Sequence, residues 1–110
     1  MVKVIFCITR KPEMSREEFG RYWKDVHGPI AAKIPGLRRY VQRHTVYPNP
    51  LSDALPSYDG EAELWFDDFE SARRALQGPE TAAAVADHDN FMDDHSRCAM
   101  FLTEEHAIVG

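Results

Sequence analysis

The sequence lacks an excess of positive charge, since its 110 residues hold 13 lysines and arginines against 18 aspartates and glutamates. The formal net charge of -5 argues against nucleic acid as a partner, because binding to phosphates needs basic side chains. It also lacks an apolar run long enough to span a membrane. The apolar start at residues 2–8 has neither the basic leader nor the cleavage site of a signal peptide. We therefore expect a cytoplasmic protein that does not bind membranes.

Cysteine is scarce as well: Cys7 and Cys98 both lie in apolar runs, which predicts buried thiols rather than a disulfide framework. A glycine-rich phosphate loop, a Gly-x-Ser-x-Gly motif and a Cys-x-x-Cys motif are all missing. Residues 87–89 and 93–95 contain aspartates and histidines that could bind a metal. However, carboxylates at helix starts usually cap and solubilise. We expect no metal, flavin, haem or nucleotide cofactor.

The chain does have the apolar content of a folded protein, at 44% hydrophobic residues, and its length suits a single domain over residues 1–110. Val2 to Arg10 reads as a strand whose two alternating sets of side chains are both largely apolar. Such a strand is usually buried on both faces, near the middle of a sheet. A chain this short buries little surface alone, so we expect a homodimer that covers the second face.

Helical spacing follows this strand. Ser15 and Glu18 form a capping-box pattern, and an apolar stripe of Phe19, Trp23, Val26 and Ile30 predicts a helix that Gly28-Pro29 interrupts. Strands are predicted at residues 37–47 and 61–66, with a proline-rich loop between them.

A second helix is predicted to start at Asp67 or Asp68 and to bury Phe69, Ala72 and Leu76. After a break at Gly78-Pro79, an alanine-rich turn covers residues 81–86, and Asp87 can cap a short helix containing Phe91. The last strand is predicted at residues 97–108. The order β-α-β-β-α-β predicts an α+β, ferredoxin-like fold with an antiparallel sheet and both helices on one side.

Several motifs resemble the EthD family over roughly residues 3–105. The most specific are Tyr22-Trp23-Lys24-Asp25-Val26-His27-Gly28-Pro29 and the later Ile34-Pro35-Gly36-Leu37-Arg38-Arg39-Tyr40. Weaker matches are Thr9-Arg10-Lys11-Pro12, Tyr58-Asp59-Gly60, Ala62-Glu63-Leu64-Trp65-Phe66 and Phe101-Leu102-Thr103-Glu104-Glu105. The resemblance implies a dimeric α+β barrel with a pocket in each subunit, between the sheet and the helices or loops.

The resemblance implies no single reaction. EthD proteins accompany an ether-degrading monooxygenase system, and related barrels include quinone-forming monooxygenases and a methylmuconolactone isomerase. In that isomerase the residues matching His27 and Tyr40 line the active site. A cysteine implicated there matches Leu64 of this sequence, which argues against that particular isomerisation.

His27 and Tyr40 are the candidate catalytic residues. A histidine titrates near neutrality and acts as general acid or base, whereas structural bonding at the broken helix end is its alternative. Tyr40 has a hydroxyl that can hold a carbonyl or enolate oxygen, with strand packing as its alternative. The candidate substrate-binding residues are Trp23, Gln42, His44, Leu64 and Trp65.

Three functions stay open from the sequence. The first is a cofactor-independent enzyme, an isomerase, lyase or oxygenase acting on a small carbonyl, lactone or phenolic compound. The second is a non-catalytic accessory protein of a monooxygenase in a catabolic or oxidative pathway. The third is a dimeric module that only binds a small organic ligand.

Overall fold

The computed structural model describes residues 1–94 and 97–110. One antiparallel sheet has the strand order β2-β3-β1-β4 and consists of β1 (Val2–Ile8), β2 (Arg39–His44), β3 (Gly60–Phe66) and β4 (Ala99–Glu104). The helical elements are α1 (Arg16–Tyr22), a π-helical turn (Trp23–His27), α2 (Gly28–Ala31), α3 (Phe69–Leu76), α4 (Pro79–Asp87) and a 3-10 turn (His88–Asn90). This confirms the predicted α+β, ferredoxin-like fold. No helix in the described ranges is both long and apolar enough to cross a membrane.

The first strand lies inside the sheet, as its two apolar faces predict. It pairs with β3 on one side and with β4 on the other. Val4 points to the helices and is fully buried, whereas Lys3, Ile5 and Cys7 are half-buried on the opposite face. The sheet therefore has a helix-covered face and an open face.

The first helical stretch starts as predicted and ends later than predicted. Ser15 accepts a hydrogen bond from the Glu18 amide, and the Glu18 side chain accepts one from the Ser15 amide. The helix then continues through Gly28-Pro29 to Ala31, so the predicted interruption is wrong. A proline ring in a regular α-helix clashes with the carbonyl four residues earlier. Here a wider π-helical turn comes directly before Pro29 and makes room for the ring.

The π-helical turn also changes which side chains are buried. The N–H of Gly28 donates to the carbonyl of Trp23, five residues earlier, so the turn holds one residue more than an α-helical turn. The buried stripe is Phe19, Trp23, His27 and Ala31. Val26, predicted on that stripe, is 45% exposed. The prediction is confirmed at Phe19 and Trp23 and wrong at Val26, because its spacing assumed a regular helix.

The second helical region is divided at Gly78 as predicted. Asp68 is the N-cap of α3 and accepts a hydrogen bond from the Ser71 amide. The prediction that Phe69 is buried is wrong, since it is 50% exposed at the first position of α3, while Ala72 and Ala75 face the core. The alanine-rich segment lies inside α4, which is longer than the predicted turn.

The core brings β3 very close to the π-helical turn. Trp23 is fully buried, with its ring 5.6 Å from Phe19 and 4.4 Å from His44. A Cβ atom placed on Gly60 would lie 2.7 Å from Cη2 of Trp23 and 3.0 Å from the carbonyl oxygen of Arg43. Position 60 therefore has no room for a side chain larger than the hydrogen of glycine.

The open face of the sheet is only partly polar. Glu63 is buried there between Lys3 at 3.4 Å and Arg43 at 3.2 Å. The ammonium group of Lys3 lies 4.6 Å from the ring centre of Trp65. The Nε1 atom of Trp65 is buried and has no hydrogen-bond partner among the described residues. This face thus has a charged centre and an unsatisfied donor.

Candidate active site

The candidate active site is an enclosed cavity of about 50 Å³ between the helices and the sheet, here named the inner cavity. The sheet contributes alternating side chains that point toward the helices: Phe6, Ile8, Tyr40, Ala62 and Leu64. The helical layer contributes Trp23 and His27 from the π-helical turn and Ala84 and Val85 from α4, among others. Most of its lining is aliphatic or aromatic, so the few polar groups on it are informative.

His27 is held by a carboxylate from the other helical region. Its Nδ1 lies 2.9 Å from Oδ2 of Asp87, the last residue of α4, and the imidazole is 5% exposed. The other carboxylate oxygen of Asp87 accepts hydrogen bonds from the Tyr22 hydroxyl at 2.6 Å and the Asn90 amide at 2.9 Å. Asp87 therefore accepts from three donors and is fixed in position.

The protonation states follow from this arrangement. Burial opposes ionisation of Asp87, but the bonds from Tyr22, Asn90 and His27 outweigh it and lower the pKa of the carboxyl group. Burial also lowers the pKa of His27, and the partly compensating bond to Asp87 does not restore it. At neutral pH the imidazole is therefore uncharged. Because an ionised carboxylate only accepts hydrogen bonds, Nδ1 carries the proton.

The remaining ring nitrogen of His27, Nε2, then carries a lone pair. No hydrogen-bond partner for it is found within residues 1–94 and 97–110, and the ring lines the inner cavity. A neutral imidazole that is oriented through Nδ1 by a carboxylate is suited to accept a proton at Nε2. His27 has the environment of a general base.

Tyr40 has the complementary property. Its hydroxyl oxygen accepts a hydrogen bond from Nε2 of Gln42 at 2.9 Å, so the hydroxyl proton is free to be donated. Burial raises the pKa of Tyr40, which keeps the hydroxyl protonated at neutral pH, and the bond from Gln42 offsets only part of this. The inner cavity thus has an acceptor on His27 and a donor on Tyr40.

Gln42 and His44 support the site from the same strand. Gln42 also donates to the carbonyl of Trp23 at 2.8 Å and so ties β2 to the π-helical turn. Nε2 of His44 donates to Oε1 of Gln42 at 2.9 Å, which fixes the orientation of the amide. Neither side chain lines the inner cavity; both hold residues that do.

A second space, here named the outer cleft, adjoins the inner cavity. It has a volume of about 280 Å³ and reaches the edge strand β4 at Ala99 and Met100. The two spaces have five lining residues in common: Phe6, Ile8, Val85, His88 and Met92. The ring centre of His88 lies 5.4 Å from that of His27. A ligand anchored at His27 can therefore extend past His88 toward β4.

The structure brings most of the sequence-predicted site residues together. His27, Tyr40, Trp23 and Leu64 line the inner cavity, and Gln42 and His44 stand directly behind it. Trp65 does not join them, because β3 alternates and directs it to the open face beside Lys3. It is therefore no part of this cavity's wall.

Asp87, Tyr22 and Asn90 were not predicted as site residues. The sequence suggested Asp87 as a cap, but its side chain bonds to His27, Tyr22 and Asn90 instead of a backbone amide. The only sequence signal that could have indicated a role for Asp87 was its position as an acidic residue directly after the apolar stretch 84–86.

The alternative metal site has little support. The described residues contain no group of three histidine, cysteine, aspartate or glutamate side chains placed to hold a metal ion. Asp87 is already hydrogen-bonded to His27, and Asp93 forms an ion pair with Arg97 at 2.7 Å. His95, which belonged to the imagined site, lies outside the described residues.

Known structures share this fold along almost the whole chain. An ethyl tert-butyl ether D (EthD) family protein from Bacillus halodurans is 26% identical with a TM-score of 0.76, and the match covers 96% of this chain and 99% of that one. A dimeric ferredoxin-like protein of unknown function from Bacteroides fragilis is 16% identical, with a TM-score of 0.67 and coverage of 94% and 95%. SnoaB, a cofactor-independent oxygenase from Streptomyces nogalater, is 17% identical, with a TM-score of 0.64 and coverage of 97% and 95%.

The family assignment rests on a sequence match as well. No curated protein matches the chain. The model of the EthD domain matches residues 11–95, which include the π-helical turn, Tyr40 and Asp87. Since this match spans most of the sequence, the chain belongs to the EthD domain family.

Proposed function

We propose that the protein is a cofactor-independent enzyme that moves a proton on a small carbonyl, lactone or phenolic compound. The observation that carries this proposal is the pairing of His27 with the ionised Asp87 at the wall of an apolar cavity. His27 takes the proton at Nε2, and Asp87 stabilises the imidazolium that forms. Tyr40 donates its hydroxyl proton to the oxygen on which negative charge develops.

The environment of His27 favours catalysis over a purely structural role. A structural histidine would be bonded away from any cavity, whereas here one nitrogen is oriented by Asp87 and the ring borders the cavity. The lowered pKa of His27 keeps its other nitrogen, Nε2, unprotonated at neutral pH, as a general base requires. Removal of a proton from such a substrate is one way in which isomerase, lyase and oxygenase reactions begin.

The test is hydrogen exchange on a probe ketone. The protein is incubated with 2-tetralone in D₂O, and loss of the α-proton signals is followed by ¹H NMR. We expect His27→Gln to slow the protein-dependent exchange by about 10²–10⁴-fold, the usual contribution of a general base. His106→Gln is the matched control, because His106 is exposed near the C-terminus and outside the cavity.

The outcomes separate the proposed roles. Equal exchange by wild type and His27→Gln would contradict the proposed catalysis. Binding of the ketone without any exchange would favour the accessory function, in which the protein delivers a compound to a monooxygenase of a catabolic or oxidative pathway.

We also infer that two copies pack through their open sheet faces. Phe101 on β4 is 46% exposed on that face, and Trp65 carries a buried donor without a partner. The structural neighbour from Bacteroides fragilis is dimeric. An obligate interface of this kind buries more than about 2,000 Å² in total.

Sedimentation velocity tests the dimer. Phe101→Asp should shift wild-type dimer to monomer at micromolar concentration, because it buries a charge in the interface. Phe69→Asp, at an equally exposed phenylalanine on the helical side, should leave the dimer intact. A wild-type monomer, or the same shift in both variants, would refute the inferred interface.

A further inference from the structure

Charged side chains are absent from the walls of both spaces at the site. Among residues 1–94 and 97–110, neither the inner cavity nor the outer cleft is lined by lysine, arginine, aspartate or glutamate. The polar groups on the inner cavity are His27, Tyr40, Thr81 and His88. The Thr81 hydroxyl donates to the carbonyl of Ala75 at 2.8 Å, so its proton is already used.

An anionic ligand would meet no compensating charge in these walls. Its desolvation would be costly without a paired cation. The lone pair on His27 would face the ligand's own lone pairs, and the ionised Asp87 lies directly behind the imidazole. A carboxylate therefore meets no lysine or arginine on the described walls of this site.

A cationic ligand would also be unpaired. The nearest carboxylate is Asp87, whose two oxygens already accept from Tyr22, Asn90 and His27. His27 stands between that carboxylate and the cavity. Charge of either sign is thus disfavoured, although the whole chain is acidic.

A hydroxyl on an aromatic or enol carbon is chemically suited to His27 and Tyr40 together. Its O–H can donate to Nε2 of His27, while its oxygen accepts the hydroxyl proton of Tyr40. The inner cavity of about 50 Å³ has room for little more than this end of a molecule. The apolar outer cleft of about 280 Å³ approaches the roughly 300 Å³ lower limit of ligand pockets and can take the rings.

We propose that the site accepts an un-ionised, mainly hydrocarbon aromatic compound with one phenolic or enolic hydroxyl, and rejects the corresponding carboxylate. The hydroxyl lies between His27 and Tyr40, and the rings extend past His88 and Met92 toward β4. This inference rests on the proposed function only in taking the inner cavity as the ligand site. It names the substrate class, which the proposed chemistry alone leaves open.

Three probes with the same two rings test the proposal: 2-naphthol, 2-methoxynaphthalene and 2-naphthoate. Binding to the intact protein at pH 7 is followed by NMR through the imidazole Cε1–H signals. We expect 2-naphthol to shift the His27 signal and to bind at least about tenfold more tightly than either other probe. The ether loses the donor to His27, and the carboxylate brings an unpaired charge.

A variant at the edge of the cleft provides the reverse test. Val85 lines both spaces and is 46% exposed, so Val85→Arg can place a cation there without disturbing the core. We expect the preference for 2-naphthol over 2-naphthoate to be about tenfold smaller in this variant than in Val85→Gln, because the arginine pairs with the carboxylate. Val85→Gln, without the charge, is the control.

The results distinguish the substrate class from the site itself. If 2-naphthoate binds wild type as tightly as 2-naphthol and shifts His27, the substrate class is wrong while the proposed site stands. If none of the three probes shifts the His27 signal, both the substrate class and the proposed site are wrong.

Discussion

Replacement of Gly60 by alanine tests the contact between β3 and the π-helical turn. The backbone of Gly60 is not in the left-handed region, so alanine brings no backbone strain there. The added Cβ would instead meet the six-membered ring of Trp23, at 2.7 Å from Cη2. Trp23 is enclosed by Phe19 and His44 and cannot move aside freely.

The expected magnitude is a difference between two opposing effects. Overpacking a core typically costs about 1–3 kcal/mol. Replacing glycine at a compatible position restricts the unfolded chain and returns about 0.4–1 kcal/mol. We therefore expect Gly60→Ala to lower the free energy of unfolding by about 1–2 kcal/mol.

Urea unfolding followed by circular dichroism measures this, at one fixed protein concentration because the proposed dimer would add to the apparent stability. Trp23→Phe removes the clashing ring atoms, so in that background Gly60→Ala should cost clearly less, with only the 3.0 Å approach to the Arg43 carbonyl oxygen remaining. Gly20→Ala is the control, since its Cβ would lie at an ordinary 3.4 Å from Nδ1 of His44 and alanine suits a helix. An unchanged or raised stability of Gly60→Ala, or the same loss in both backgrounds, would refute the packing argument.

Three further predictions concern the His27–Asp87 pair and the first helix. The free energy of unfolding should fall as the pH drops from 7 to 4. Below the ordinary His27 pKa of 6.5 the unfolded chain binds a proton at His27 that the folded chain does not bind, because the pKa of His27 is lowered in the folded state. The stabilisation from ionised Asp87 is lost only at lower pH, as the pH falls through the lowered pKa of that carboxyl group. Urea titrations of wild type and His27→Gln should differ in slope near pH 6. Tyr22→Phe should lower the free energy of unfolding by about 1.5–3 kcal/mol, the usual contribution of a hydrogen bond to a charged group, and thermal or urea unfolding measures this loss. Ser15→Ala should cost about 1 kcal/mol through the lost N-cap, and helix content at equal urea checks this.

The fold was predictable because its signals are local. The two apolar faces of residues 2–8 predict a central strand, and the capping-box pair of Ser15 and Glu18 predicts a helix start. Asp68 and Gly78 mark the limits of the second helical region in the same way. Each signal depends on neighbours within a few positions, so the sequence displays it directly.

The site was only half predictable because its decisive contacts are not local. His27 and Asp87 are separated by 60 positions, and no pattern in a single sequence pairs them. The interaction of Gln42 with Tyr40 follows from strand alternation, but the bond from Gln42 to Trp23 depends on how closely β2 approaches the helix. Trp65 lies on the open face, apart from the other predicted site residues, and composition does not reveal which face of a strand meets the helices.

The π-helical turn has a consequence for how this sequence should be aligned with its relatives. Because the turn holds one residue more than an α-helical turn, it corresponds to a single-residue insertion between Trp23 and Gly28. A relative without that residue can wind this stretch as regular α-helix with the flanking helix in nearly the same phase, because the wider turn absorbs the extra residue. Its histidine would then stay near the buried face although the motif is one position shorter. A one-residue gap at this point in an alignment therefore does not remove the pairing of His27 with Asp87, whereas the full-length sequence wound as regular α-helix would turn His27 by roughly 100° about the helix axis.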